Sequence, residues 1–154
     1  LNKSIELVQQ SVTNQIKETV FGKNYEFIDV LYDNLWANNF IDKSCSKELF
    51  SNHFYIDAIP KDKIILTGKN QSDLVLLIDS LKEFFKEDYQ NSTFFNEFWA
   101  TRFLFATNGD SYIPKKKDKI GISKMISEVK NDNRKPTKSN TINEIVKNLK
   151  SIRH

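Results

Sequence analysis

The chain has 154 residues, 39% of them apolar and 28% charged, and a formal charge of +3. That length suits one domain with its own core, and no apolar run approaches the roughly 18–20 residues that cross a bilayer. A lone cysteine, Cys45, and only two histidines exclude a disulfide framework and a cysteine-based zinc site, so no metal and no cofactor are expected.

Residues 3–21 read as an amphipathic helix, with Ile5, Val8, Val12, Ile16 and Val20 three and four apart and Gly22 placed as a C-cap. Asn24 can cap a second helix that puts Tyr25, Ile28, Leu31, Leu35 and Trp36 on one face. Ser44 or Ser46 starts a short third helix carrying Leu49, Phe50 and Phe54. Tyr55 to Lys61 reads as extended, because proline disfavours helical geometry in the residue before it. Asp62 to Gly68 reads as a short strand ending in a turn. Asn70 or Ser72 then caps a wide-faced helix with Leu74, Val75, Leu77, Ile78, Leu81, Phe84 and Phe85.

Ser92 or Thr93 opens an aromatic helix with Phe95, Phe98, Trp99, Phe103 and Leu104, and Asn108-Gly109-Asp110 marks a turn. Ile122, Met125, Ile126 and Val129 suggest a helix over 121–130. Thr141-Ile142-Asn143-Glu144 has the capping-box pattern, opening a last helix with Ile142, Ile145, Val146, Leu149 and Ile152 inward. The expected fold is mainly α: six or seven helices in a single domain, 1–154, with a short strand or hairpin near 62–67. An N-terminal helical part covers 1–54, and a half over 62–154 ends in the basic segment 115–154.

The charge is uneven. Residues 1–114 hold 11 basic and 16 acidic side chains; residues 115–154 hold 12 basic and 4 acidic, a net +8. A basic end on an acidic body points to an anionic partner, although a solvated lysine-rich surface would look the same. Lysines number 20 and arginines 3, so nucleic-acid binding would lean on phosphate contacts more than on guanine reading. The candidate contact residues are Lys115, Lys116, Lys117, Lys119, Arg134, Lys135, Lys138, Asn143, Lys147 and Lys150. On the last helix Asn143, Lys147, Asn148 and Lys150 should face away from the apolar stripe. With 121–130 that helix could form a helix-turn-helix-like pair, though its link of about ten residues exceeds the usual turn. The even polar–apolar mixing of 1–21 does not look like a signal peptide, and the free thiol suits a cytoplasmic location.

Catalytic constellations are weak. Thr67-Gly68-Lys69 before a helix resembles the end of a phosphate-binding loop, but Lys63 and Asn70 stand where that motif needs glycine and a hydroxyl residue. Cys45 and His53 lack a visible orienting group, and Glu83 with Glu87 is an ordinary helix surface interleaved with lysines. We therefore expect no enzyme. Phe94 to Phe105 could stack bases or form an exposed patch for a protein partner; helical spacing favours the core for most of these rings.

Ile64-Ile65-Leu66-Thr67-Gly68-Lys69, followed by Leu74, Leu77, Ile78 and Leu81, resembles a segment of the RteC family. Asn133-Arg134-Lys135 through Thr141 to Leu149 looks like that family's closing basic turn and helix. The likeness spans about residues 62–152, and similar segments occur in small proteins of Bacteroidetes mobile elements. It implies a helical regulator with a winged-helix-like DNA-binding part, to which Arg134 and Lys135 would contribute. The expected function is a small nucleic-acid-associated or regulatory protein. The alternative is a non-enzymatic protein-interaction module without a nucleic-acid role.

Overall fold

The computed structural model describes residues 18–57, 59–107, 110–112 and 136–152. Residues 3–17 of the expected helix 3–21, the expected helix 121–130, and the candidate residues Lys115, Lys116, Lys117, Lys119, Arg134 and Lys135 lie outside them. Among the described residues the chain is mainly helical: α1 (Tyr25–Ala37), α2 (Lys47–Asn52), α3 (Gln71–Leu81), α4 (Ser92–Arg102) and α5 (Ser139–Lys150). Three strands, β1 (Ile64–Gly68), β2 (Phe103–Thr107) and β3 (Asp110–Tyr112), form one sheet in that order. Two 3-10 turns, Lys82–Phe84 and Glu87–Tyr89, link α3 to α4. None of the described helices is long and apolar enough to cross a membrane.

Local chemistry sets most helix starts. The side chains of Asn24, Ser46 and Asn70 accept from the amides of Phe27, Leu49 and Asp73 at 3.2, 3.1 and 2.9 Å, as N-caps do. α4 is capped by Asn91, which accepts from the Phe94 amide at 2.9 Å, rather than by Ser92 or Thr93.

Further expectations need correction. Thr19 to Gly22 is a tight turn, not the end of a helix. The Thr19 and Gly22 amides donate to each other's carbonyls at 3.1 and 2.9 Å, and the Val20 amide donates to the Phe54 carbonyl at 3.0 Å. Val20 and Phe21 are thus pulled into the core alongside 54–56. Second, α4 stops at Arg102, and Phe103 to Thr107 is a strand with Phe103 and Phe105 fully buried. It runs parallel to β1, from Ile64 opposite Phe103 to Gly68 opposite Thr107. Parallel neighbours need a long crossover, here α3, the 3-10 turns and α4. Third, Phe84 and Phe85 leave the helix after Leu81 yet remain buried.

Buried side chains from Val20 to Leu149 form one cluster. Its centre is aromatic: Phe50, Phe54, Phe98, Trp99 and Phe103 meet at tilted and edge-on angles. Such geometries match the ring quadrupoles. α3 faces β1 tightly because Gly68 has no side chain; a Cβ there would stand 3.0 Å from Leu74 Cγ. On the outer edge of β1, the Thr67 amide donates to the Phe40 carbonyl at 2.9 Å and the Asp42 amide to the Ile65 carbonyl at 3.2 Å.

α5 packs against α1 and α3 through Ile142, Ile145 and Leu149. The expected Thr141 capping box does not form: the helix already begins at Ser139, and Lys138 makes no side-chain cap. A carboxylate from another helix does the work. Asp73, in the first turn of α3 and fully buried, accepts from the Thr137 amide (2.7 Å), the Thr137 hydroxyl (2.8 Å) and the Lys138 amide (2.8 Å). An anion there also complements the positive end of the α5 dipole.

Candidate nucleic-acid interface

Where α1 ends, β1 ends and α5 begins, the chain forms a cleft of about 370 Å³ with Phe40 among its polar side chains. Asn39 turns α1 into the next segment with a left-handed backbone (φ 61°), a conformation asparagine tolerates better than most side chains. Its carbonyl accepts from the Thr67 hydroxyl at 2.6 Å, which stitches the helix end to the strand end. Gly68 and the Asn70 cap then fix the turn that carries Lys69. Asp73 places Lys138 on the other wall. Lys69, Lys138, Asn38, Asn39 and Thr67 thus line one cavity from three distant parts of the chain. Both lysines are exposed, so their charges stay solvated and available to an anion.

Lys138 was a candidate from sequence; Lys69, Asn38 and Asn39 were not. The Gly68-Lys69 pair gave a signal too unspecific to use alone, and the amides gave none. On α5 the outward side chains are as expected: Asn143, Lys147 and Lys150 are exposed at spacings that share a helix face. Lys150 lies 3.9 Å from Glu83, with both side chains about half exposed. The Asn148 side-chain amide donates to the Asn34 side chain at 2.8 Å, so Asn148 serves the α5–α1 contact. The positive surface here is therefore led by Lys138, just before α5, and by Lys147 on it, with the exposed Glu144 diluting it.

The rings over 94–105 are core, as their helical spacing favoured, and do not form the exposed patch of the alternative reading. Phe95, Phe98, Trp99, Phe103 and Phe105 are all buried; Phe94 alone is partly exposed, packing 4.9 Å from Tyr89. A second cavity, about 260 Å³, lies beside Phe94, Ile56 and Ile59 with Arg102 in its wall. The Arg102 guanidinium donates to the Tyr55 carbonyl at 3.2 Å and the Thr101 hydroxyl at 3.3 Å, and sits 4.6 Å from the Phe98 ring. Burial lowers its pKa. These contacts make it a structural arginine.

Cys45 and His53 do not form a pair for nucleophilic chemistry. The His53 ring nitrogens face the Leu49 and Asp62 carbonyls at 2.9 and 2.8 Å. The Cys45 thiol lies against the Ser46 carbonyl at 3.6 Å. Burial, and after it the Asp42 carboxylate, push the thiol pKa up, which opposes the reactive thiolate. Cys45 is expected to react only slowly with a disulfide reagent at pH 8 until denaturant unfolds the chain. Rapid native-state labelling would contradict this burial. Among the described residues no three His, Cys, Asp or Glu side chains gather to hold a metal ion.

No protein-family model matches the chain, and neither the curated proteins nor the solved structures contain a significant match to it.

Proposed function

We propose that this protein is a small nucleic-acid-associated regulator that grips phosphates through the cleft and α5. The observation that carries the reading is the convergence of Lys69 and Lys138, 69 positions apart, with Asn38, Asn39 and Thr67 in one cleft. In this reading Lys69 and Lys138 neutralise phosphates, and Asn143 and Lys147 on α5 contact the neighbouring backbone or base edges. The basic residues Lys115, Lys116, Lys117, Lys119, Arg134 and Lys135 join them on sequence grounds, as does the net +8 of 115–154. The helix-turn-helix and RteC-like aspects of the reading rest on sequence alone.

Phosphate binding by lysine releases condensed counterions, so affinity must fall steeply with salt. Fluorescence anisotropy of labelled DNA over a salt series should give a steep slope for the wild type. Changing both Lys69→Gln and Lys138→Gln should flatten that slope by about two, one for each lost phosphate contact. Binding that ignores salt, or a double variant with an unchanged slope, would overturn the proposal.

A further inference from the structure

We infer that the cleft takes single-stranded nucleic acid and that Trp36 is its stacking platform; this rests on the phosphate-binding reading above. A duplex is read by an element that protrudes into its groove. The site here is concave, and its volume of about 370 Å³ falls in the range of cavities that take a ligand-sized group. An unpaired nucleotide projects into such a cavity; a stacked base pair does not. Single-strand sites combine cations along the backbone with an accessible aromatic ring for the bases.

An exposed indole lies on the helix that leads into the cleft. Trp36 lies on the last turn of α1, and its carbonyl accepts from the amide of Asn39, which lines the cleft, at 3.3 Å. Its side chain is 43% exposed, whereas Trp99, the other tryptophan, is 2% exposed. The Lys43 ammonium stands 3.7 Å from the Trp36 ring centroid and also donates to the Trp36 carbonyl. A third cation is therefore held over one face of the indole, in addition to Lys69 and Lys138, while the residue stays 43% exposed. The rings of 95–105 that sequence spacing left open for stacking are buried; of the two exposed large aromatics among the described residues, Tyr25 opens α1 and Trp36 stands on its last turn, next to Asn38 and Asn39 in the chain.

With Trp99 buried, the binding-sensitive part of the intrinsic fluorescence belongs to Trp36. The full-length protein is titrated with oligo-dT and oligo-rU of about 12 nucleotides, with a mixed-sequence duplex of the same length, and with inorganic polyphosphate. Both single strands should bind more tightly than duplex or polyphosphate and change Trp36 emission in step with anisotropy; the tighter of the two distinguishes DNA from RNA. Trp36→Ala should weaken single-strand binding about 10-fold and remove the emission change, and Trp36→Phe should restore most of the affinity. Salt-sensitive binding with silent emission and no effect of Trp36→Ala overturns the platform and leaves the phosphate reading standing. Duplex or polyphosphate bound as tightly as single strands does the same. Failure of every probe at low salt overturns both.

Discussion

Replacing Phe54 with alanine should destabilise the protein by about 4 kcal/mol, the upper part of the range for large buried aromatics. Phe54 follows α2 and is completely buried. Its ring centroid lies 4.8 Å from Phe50, 5.4 Å from Phe21, 5.7 Å from Phe98 and Phe103, and 6.3 Å from Trp99. These partners come from the N-terminal turn, α2, α4 and β2, so the cavity left by truncation would border four parts of the fold. Because several rings would have to move together to close it, little relaxation is expected. Single domains are stable by about 5–15 kcal/mol, so this one change consumes much of the margin. Thermal unfolding should shift down by roughly 10 °C for a chain of this size. A loss below about 1 kcal/mol in urea titrations would mean that Phe54 is not the hub described here. Phe54→Leu should lose less.

Asp73→Ala should cost about 3 kcal/mol and loosen α5 selectively. A hydrogen bond to a charged group contributes roughly 1.5–3 kcal/mol, and the three made by Asp73 share one carboxylate, so they do not simply add. The truncation strands the amides of Thr137 and Lys138 at the start of α5, with no other side-chain cap there. Asp73→Asn separates charge from shape. An amide oxygen at the Oδ1 position keeps both backbone bonds, and the Thr137 hydroxyl can rotate to accept from the new NH2 group. Its expected loss is about 1 kcal/mol, in the range of a charge–dipole effect at a helix end. Hydrogen exchange should show the amides of Ile142, Ile145 and Leu149 losing protection in Asp73→Ala and largely keeping it in Asp73→Asn. Equal protection in wild type and Asp73→Ala would contradict the docking role. Since Asp73 also places Lys138 in the cleft, Asp73→Ala should weaken the proposed nucleic-acid binding as well.

The difference between what was legible in sequence and what was not follows the range of the interactions. Asn24, Ser46 and Asn70 act on amides three residues ahead, and sequence reading places these caps correctly or within its stated alternatives. The apolar faces of α3 and α5 follow the helical period, and Leu77 and Ile145 are buried as expected; on α1, Ile28, Leu31 and Leu35 are buried, but Tyr25 and Trp36, read onto the same face from their spacing, sit at its two ends and are exposed. Phe103 to Thr107 defeated the same reading. A short apolar run after a helix fits either period, and the pairing with β1 that decides for strand spans 39 positions. Asp73 is further beyond reach: it looks like any first-turn acid, and only the fold brings Thr137 to it, 64 residues away. The cleft is non-local in the same way. Lys138 carried a charge signal, but Asn38, Asn39 and Lys69 become neighbours of it only through the Thr67–Asn39 and Asp73–Lys138 bonds.

In the function proposed above, the cleft and the outward face of α5 meet nucleic acid. Amide chemical-shift mapping of the isotopically labelled protein during titration with oligo-dT at low salt tests it most directly. The largest changes should fall at Asn39, Lys69, Lys138, Asn143 and Lys147, and should fade as salt is raised. Changes confined to the second cavity around Ile56, Phe94 and Thr101, or no changes at all, would contradict the claim.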